Sequence, residues 1–331
     1  MASPAPDNMS IEEFSDIAQR IESEVAKVIV GQGGVVRAAI ICVLAGRHAL
    51  LEGVPGLGKT MLIRTLAEVL DLRFSRIQFT PDLMPADIIG TDILEETEDG
   101  RREFRFQQGP IFANLVLADE INRATPKTQS AMLEAMQEKT VTVAGRRYEM
   151  QRPFFVLATQ NPLDMEGTYP LPEAQLDRFL FKVDVRFPSV DELVTIINRT
   201  TGTDTPQASQ IAKGEDVQRM GQLALNIPIN STISEYVARL IVATHPDSDQ
   251  SIVMVRRFVS TGASPRGAQA LIIGAKINAL LDGRFNVAYE DIEAVAHAAL
   301  RHRILLNFEG QAEGIKTDDI VTDLLETVKK R

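Results

Sequence analysis

The sequence predicts an α/β core built on a mostly parallel sheet, followed by a smaller domain made largely of helices. A glycine-rich turn, Gly53-Val54-Pro55-Gly56-Leu57-Gly58-Lys59-Thr60, leaves an apolar run and enters a helical one. Short apolar runs at 48–52, 76–79, 114–118, 154–158 and 179–185 are separated by helical or polar segments, the pattern of parallel strands covered on both faces. After Phe187-Pro188 the strand signals largely stop and helical spacing takes over.

Residues 1–9 contain Pro, Ser and Asn and read as a loose tail. Ser10-Ile11-Glu12-Glu13 is a capping box, opening a helix with Phe14, Ile17, Ile21 and Val25 on one face. A second helix follows Gly33-Gly34, then a buried strand at 48–52 delivers the chain into the glycine-rich turn, and apolar residues repeat at helical spacing from Lys59 to Leu70. Two stretches interrupt the alternation: the Pro- and acid-rich segment 81–110, and the hairpin-like 140–148, which alternates around a Gly turn. A second capping box, Ser189-Val190-Asp191-Glu192, opens the helical part. Residues 200–210 are polar and Thr-rich and read as a loop, and the mixed charges from Glu309 onward read as a solvated tail. The predicted organisation is therefore a tail at 1–9, an α/β domain at 10–187 with two insertions, a helical domain at 188–308 and a tail at 309–331.

A chain of 331 residues is long enough for roughly two compact units. Its 35 Lys+Arg against 45 Asp+Glu, net −10, exclude a surface built mainly to coat a phosphate backbone. The single cysteine, Cys42, lies in an apolar run and reads as a buried thiol, which excludes disulfides and a thiolate zinc cluster. The four histidines are dispersed with no pair at ligand spacing. No basic residue precedes Arg20 and no apolar stretch reaches the roughly 20 residues of a membrane span, so a cytoplasmic location is expected.

The glycine-rich turn matches G-x-x-x-x-G-K-[ST] in full and sits between a strand and a helix, as its mechanism requires. Glycines let the backbone curl so that its N–H groups and the helix N-terminus face phosphates. Lys59 can then reach the terminal phosphates, and the Thr60 hydroxyl can ligate Mg2+. Some sixty residues on, Leu115-Val116-Leu117-Ala118-Asp119-Glu120 ends an apolar strand in two carboxylates. Asp119 would hold Mg2+ through its water shell, and Glu120 would polarise the attacking water. A third apolar run ends in Thr159-Gln160-Asn161-Pro162, which brings Asn161 to the same sheet edge, unless Asn-Pro is only a turn former. Leu176-Asp177-Arg178-Phe179 and Ser264-Pro265-Arg266-Gly267 each place one arginine at an element boundary. Such an arginine can act on a neighbour's phosphoryl group or report bound nucleotide from a lid; a surface salt bridge is the plain alternative.

In this order these residues resemble an AAA+ ATPase from about Ser10 to Phe308. More narrowly, Gly53-Val54-Pro55-Gly56, Ile121-Asn122-Arg123-Ala124, Ala158-Thr159-Gln160-Asn161-Pro162, Glu166-Gly167-Thr168-Tyr169-Pro170-Leu171-Pro172-Glu173-Ala174 and Gly262-Ala263-Ser264-Pro265-Arg266 are similar to the MoxR family. The resemblance implies ATP and Mg2+ as cofactors, with Gly53, Pro55, Gly56, Leu57, Gly58, Lys59 and Thr60 around the phosphates and Thr60 and Asp119 on the metal. It makes Glu120 catalytic, Asn161 sensor 1, Arg178 the arginine finger on the next subunit and Arg266 sensor 2, and lays Val30-Gly31-Gln32 against the adenine. It also implies a homo-oligomeric, hexameric ring, a chaperone-like role in maturing or activating a client protein complex, and a partner carrying a von Willebrand factor A domain. Gly58 departs from the alanine of many family members but keeps the general phosphate-loop pattern.

Three other readings stay open at this level. A metal-chelatase motor subunit shares the inserted hairpins and Asp177-Arg178-Phe179. A nucleotide-dependent binding switch with little hydrolysis is opposed by the intact Asp119-Glu120 pair. A nucleic-acid motor finds its only support in Lys139, Arg146, Arg147 and Arg152 around the second hairpin, and the net charge and lack of stacking aromatics weigh against it.

Overall fold

The computed structural model describes residues 9–96, 99, 101–162, 167–202 and 206–329. The expectations for residues 1–8, 97, 98, 100, 163–166, 203–205, 330 and 331, Glu166 of the quoted motif included, lie outside the described residues.

Helix α1 (Ile11–Val28) starts where the Ser10 hydroxyl accepts the Glu13 N–H at 3.1 Å, and it buries Phe14, Ala18, Ile21 and Val25 as one stripe. Helix α2 (Gly33–Leu44) is apolar nearly all round and packs against several elements at once. Then come β1 (Ala49–Glu52), α3 (Lys59–Val69) and β2 (Phe74–Gln78). The segment expected to interrupt the alternation folds as α4 (Pro85–Ile89) and an antiparallel pair, β3 (Gly90–Glu96) with β4 (Arg102–Gln108). The alternation resumes with β5 (Leu115–Asp119) and α5 (Pro126–Glu138), and is broken again by the hairpin β6 (Thr140–Val143) and β7 (Arg146–Glu149). Strand β8 (Phe155–Gln160), the single turn α6 (Glu173–Leu176) and β9 (Phe181–Asp184) complete the core.

The five core strands form one parallel sheet in the order β2-β5-β8-β1-β9. Residues 115–118 and 155–158 are buried on both faces, which explains why those strands read as continuous apolar runs. Because all five run the same way, everything that follows a strand lies at one edge of the sheet and everything that precedes a strand lies at the other.

The helical part begins with α7 (Val190–Thr200), whose capping box forms with both hydrogen bonds. It continues through α8 (Gly214–Asn226), α9 (Ser231–Ala243), α10 (Val253–Phe258), β10 (Val259–Thr261), α11 (Pro265–Leu281), α12 (Tyr289–Leu300) and β11 (Leu305–Leu306). The short β10–β11 pair is not visible in the periodicity. Helix α12 packs on the edge strand β9, and α11 approaches so closely that a Cβ on Gly274 would lie 2.7 Å from the Phe181 ring.

The expected solvated tail at 309–331 is corrected by the structure: the chain continues as α13 (Phe308–Ala312) and α14 (Thr317–Thr327). Ile320, Val321 and Leu324 are fully buried, while Asp318, Asp319 and Asp323 take the outer side. The charges that suggested a tail are the polar face of an amphipathic helix, and Asp318 pairs with Arg301 at 2.9 Å.

His48, just ahead of β1, is buried and links three elements: it accepts the Val156 N–H at Nδ1 (3.0 Å) and its Nε2 lies 2.9 Å from the Met136 carbonyl. Those partners require the neutral imidazole with its proton on Nε2. Burial, foremost, and then the charges of Lys139 and Arg47 lower its pKa from 6.5 to about 4. The neutral ring therefore contributes stability that is complete above pH 6.5 and is lost as the pH falls toward 4, worth about 3 kcal/mol by linkage. Urea midpoints measured from pH 7 to 4 should fall accordingly, and His48→Gln should flatten that part of the profile. An unchanged slope in the variant would contradict the neutral, buried assignment.

Candidate active site

The glycine-rich turn leaves β1 at the carboxyl edge of the sheet. Gly56 (φ +85°) and Gly58 (φ +75°) occupy the left-handed region, so here glycine serves backbone conformation rather than space. Gly53 serves space: a Cβ there would stand 2.9 Å from the Val185 carbonyl oxygen, so a side chain would push the turn off β9.

Lys59, Thr60, Asp119, Glu120 and Asn161 line one cavity of about 220 Å3, together with Pro55, Gly56 and Gly58. Residues from three different strand ends thus meet where the sequence placed them. The Lys59 ammonium donates to the Gly53 carbonyl at 2.6 Å, and burial lowers its pKa against the opposing pull of Asp119, Glu120 and Glu52. Asp119 Oδ1 accepts the Thr159 hydroxyl at 2.6 Å, and the same hydroxyl accepts the Glu120 N–H at 2.8 Å. Thr159 therefore sets both carboxylates from the neighbouring strand. Glu120 itself is left-handed (φ +56°), a conformation that costs about 1 kcal/mol and that this N–H bond helps to hold.

Sequence reasoning missed three partners. Arg76 donates twice to Asp119 Oδ2, at 2.6 and 3.2 Å; Gln78 Nε2 and Arg123 Nη1 donate to Glu120 Oε2 at 3.0 and 2.9 Å. The signal for two of them was present: Arg76 and Gln78 are i, i+2 polar residues in a strand that pairs with the carboxylate strand, with Gln78 opposite Asp119.

An apolar cavity of about 360 Å3 adjoins the first and shares Gly56 and Gly58 with it. Val28, Ile29, Val30, Leu57, Met61, Phe187, Leu193 and Ile196 line it, and Gln32 ties its wall to the phosphate turn by donating to the Leu57 carbonyl at 2.9 Å. Val30 and Gln32, which the resemblance lays against the adenine, both line this apolar cavity. Gly31 does not line the cavity: at φ +64° it makes room for Glu192, which a Cβ would meet at 2.3 Å. Helix α7 buries none of its residues, so Leu193 and Ile196 have apolar surface free for a base. A polar, phosphate-sized end beside an apolar, base-sized end is the division a nucleotide needs.

Arg178 and Arg266 are not brought to this site. Both line a third cavity, of about 150 Å3, with Gly46, Arg47, His48, Lys139 and Arg303. Its wall residues precede β1 and β9, whereas the phosphate turn follows β1, so the sheet separates the two cavities. From His48 to Gly53 the strand rises about 16 Å. Ser264 caps α11 and hydrogen-bonds Asp177 at 2.9 and 3.0 Å, which sets Arg266 beside Arg178.

A family model described as "ATPase family associated with various cellular activities (AAA)" matches residues 48–181, and one described as "AAA lid domain" matches 253–324. The chain is 45% identical to Chaperone MoxR1 of Mycobacterium tuberculosis, over 94% of this chain and 81% of that one. It is 32% identical to Protein MoxR of Methylorubrum extorquens, over 98% and 96%. The crystal structure of a protein from Cytophaga hutchinsonii superposes with a TM-score of 0.90 at 39% identity, covering 97% of both chains.

The apolar cavity can be tested separately from the phosphate turn. Ile196→Asp should raise the Kd of a fluorescent ATP analogue about tenfold, since a carboxylate there is desolvated against the base. An effect under twofold would contradict the placement of the base.

Proposed function

This chain belongs to the MoxR family of AAA+ ATPases, and we propose that it hydrolyses ATP with Mg2+ at interfaces between copies of itself, as a chaperone-like motor that matures or activates partner protein complexes. The observation that carries the reading is the separation of the two half-sites: the phosphate turn, both carboxylates and Asn161 at one sheet edge, Arg178 and Arg266 at the other. One copy cannot close its own site, whereas a copy stacked beside it can. A closed, hexameric ring satisfies every site in the same way.

The donor set fits the expected metal. Thr60 and Asp119 face one cavity, and a hydroxyl and a single carboxylate suit a Mg2+ held largely by phosphate oxygens and water. Bound there, Mg2+ would neutralise charge on the phosphates. Lys59 exchanges the Gly53 carbonyl for phosphate oxygens. Glu120 takes the proton of the attacking water, whose oxygen forms the new bond to the γ-phosphorus as the bond to the ADP oxygen breaks, and Asn161 orients that water. Arg178 of the adjacent copy, with Arg266 beside it, stabilises charge on the transferring group. The name Chaperone MoxR1 of the similar mycobacterial protein supports the remodelling role. A protein with a von Willebrand factor A domain, presenting a client complex, is the partner with which such a motor would work. Arg146 and Arg147 are exposed on the β6–β7 hairpin, where an acidic client could reach them.

Glu120→Gln should keep ATP affinity within a few-fold and lower turnover at least 100-fold. Arg178→Ala and Arg266→Ala should also bind ATP and lose turnover, the first by about 1,000-fold. ATP binding measured by filtration and phosphate release measured in parallel separate the two effects. Loss of ATP binding in Arg178→Ala or Arg266→Ala would place those residues in their own subunit's site and contradict the reading.

A further inference from the structure

The cavity that holds Arg178 and Arg266 contains more positive charge than two arginines supply. Arg47, Lys139 and Arg303 also line it, and among the described residues Asp177 is the one carboxylate on its wall. Asp177 is already engaged by Arg303 at 2.9 Å and by the Ser264 hydroxyl. Among the described residues no carboxylate forms an ion pair with Arg47, Lys139 or Arg178. The Arg178 Nε is buried with no hydrogen-bond partner, and the Lys139 ammonium donates to a backbone carbonyl, that of Gly46, at 3.2 Å. Partly desolvated cations without counter-charge are costly, and an arriving anion relieves that cost. At about 150 Å3 the space falls below the roughly 300–1,000 Å3 of sites that enclose a whole small molecule, and it suits a phosphate group presented from outside.

Lys139 has a second connection. It caps α5 in the left-handed region (φ +53°), its N–H bonds the Ala135 carbonyl, and its own carbonyl accepts the Met150 N–H at 2.9 Å. Thr140 opens β6 immediately after it, so both ends of the β6–β7 hairpin meet at this one residue.

We infer that Lys139 is a third cation acting across the subunit interface: its ammonium joins Arg178 and Arg266 on the phosphate of nucleotide held by the adjacent copy and ties the base of the β6–β7 hairpin to that phosphate. The inference rests on the shared-site reading above and adds to it a further phosphate-contacting cation and a route to the hairpin. Burial, with the nearby charges of Arg47 and Arg152, already lowers the Lys139 pKa, consistent with a side chain lacking its counter-ion.

The test is complementation between full-length variants. Lys139→Met alone and Glu120→Gln alone should each release phosphate at under a tenth of the natural rate. Mixed in equal amounts they should recover several-fold more than the mean of the two, because a Lys139→Met subunit keeps an intact carboxylate pair that a Glu120→Gln neighbour can serve with its own Lys139. Lys139→Arg, which keeps the charge, should retain most of the activity. If Arg178→Ala mixed with Glu120→Gln recovers and Lys139→Met mixed with Glu120→Gln does not, Lys139 acts only within its own subunit: the inference fails and the shared site stands. Failure of both mixtures would overturn the shared site and the inference together, and a natural rate in Lys139→Met alone would overturn the inference.

Discussion

The arrangement of the whole molecule depends on one buried ion pair, Asp177 with Arg303. The Arg303 side chain is 2% exposed, bonds the Asp177 carboxylate at 2.9 Å, and also donates to the backbone carbonyls of Asp177, Phe179 and Leu180 at the start of β9. His302 adds a contact to the Phe179 carbonyl, and Ser264 fastens the start of α11 to the same carboxylate. Removing one partner of such a pair costs about 3–5 kcal/mol, because the other is left charged and buried. The exposed contact of Arg266 with Asp177, at 3.4 Å, is worth far less. The clamp thus locks the helical unit to the sheet and leaves Arg266 itself available for another partner.

From that clamp the logic of a divided site follows. A parallel sheet sends its phosphate turn, carboxylates and Asn161 to one edge, and the clamp holds Arg178 and Arg266 at the other. The central strands β5 and β8 between them are buried on both faces and close-packed. In the proposed reading a second subunit, rather than flexing of one, brings them together. Lys139 lies at the junction of the arginine-bearing cavity with an exposed hairpin, so in that reading it would carry a neighbour's phosphate state outward.

Much of this was legible in the chain. The phosphate turn, the strand ending in Asp119 and Glu120, both inserted hairpins and the helix starts at Ser10 and Ser189 are local patterns whose spacing dictates their geometry, and each forms where the sequence put it, the second start with the full reciprocal capping box. What was not legible is long-range. Arg303 lies 126 residues from Asp177, and no pattern near either names the other. Lys139 read only as one of four cations around the second hairpin, because nothing local shows that its ammonium turns to the Gly46 carbonyl. Residues 317–327 read as a tail because four apolar positions among acids, of which Ile320, Val321 and Leu324 become buried, give a weak periodic signal until a neighbouring helix covers them. For Arg266 the helix start was legible, but the edge of the sheet against which that helix docks is set by Ser264, Asp177 and Arg303 acting together.

The most direct test of the divided site is the rate of phosphate release per subunit as a function of protein concentration, with Mg2+ and ATP saturating, alongside mass by light scattering. The account predicts a per-subunit rate that climbs as assemblies form and levels off when the population is fully assembled. A rate per subunit that is the same for dilute monomers and for assemblies would contradict it, because a single chain would then be closing its own site.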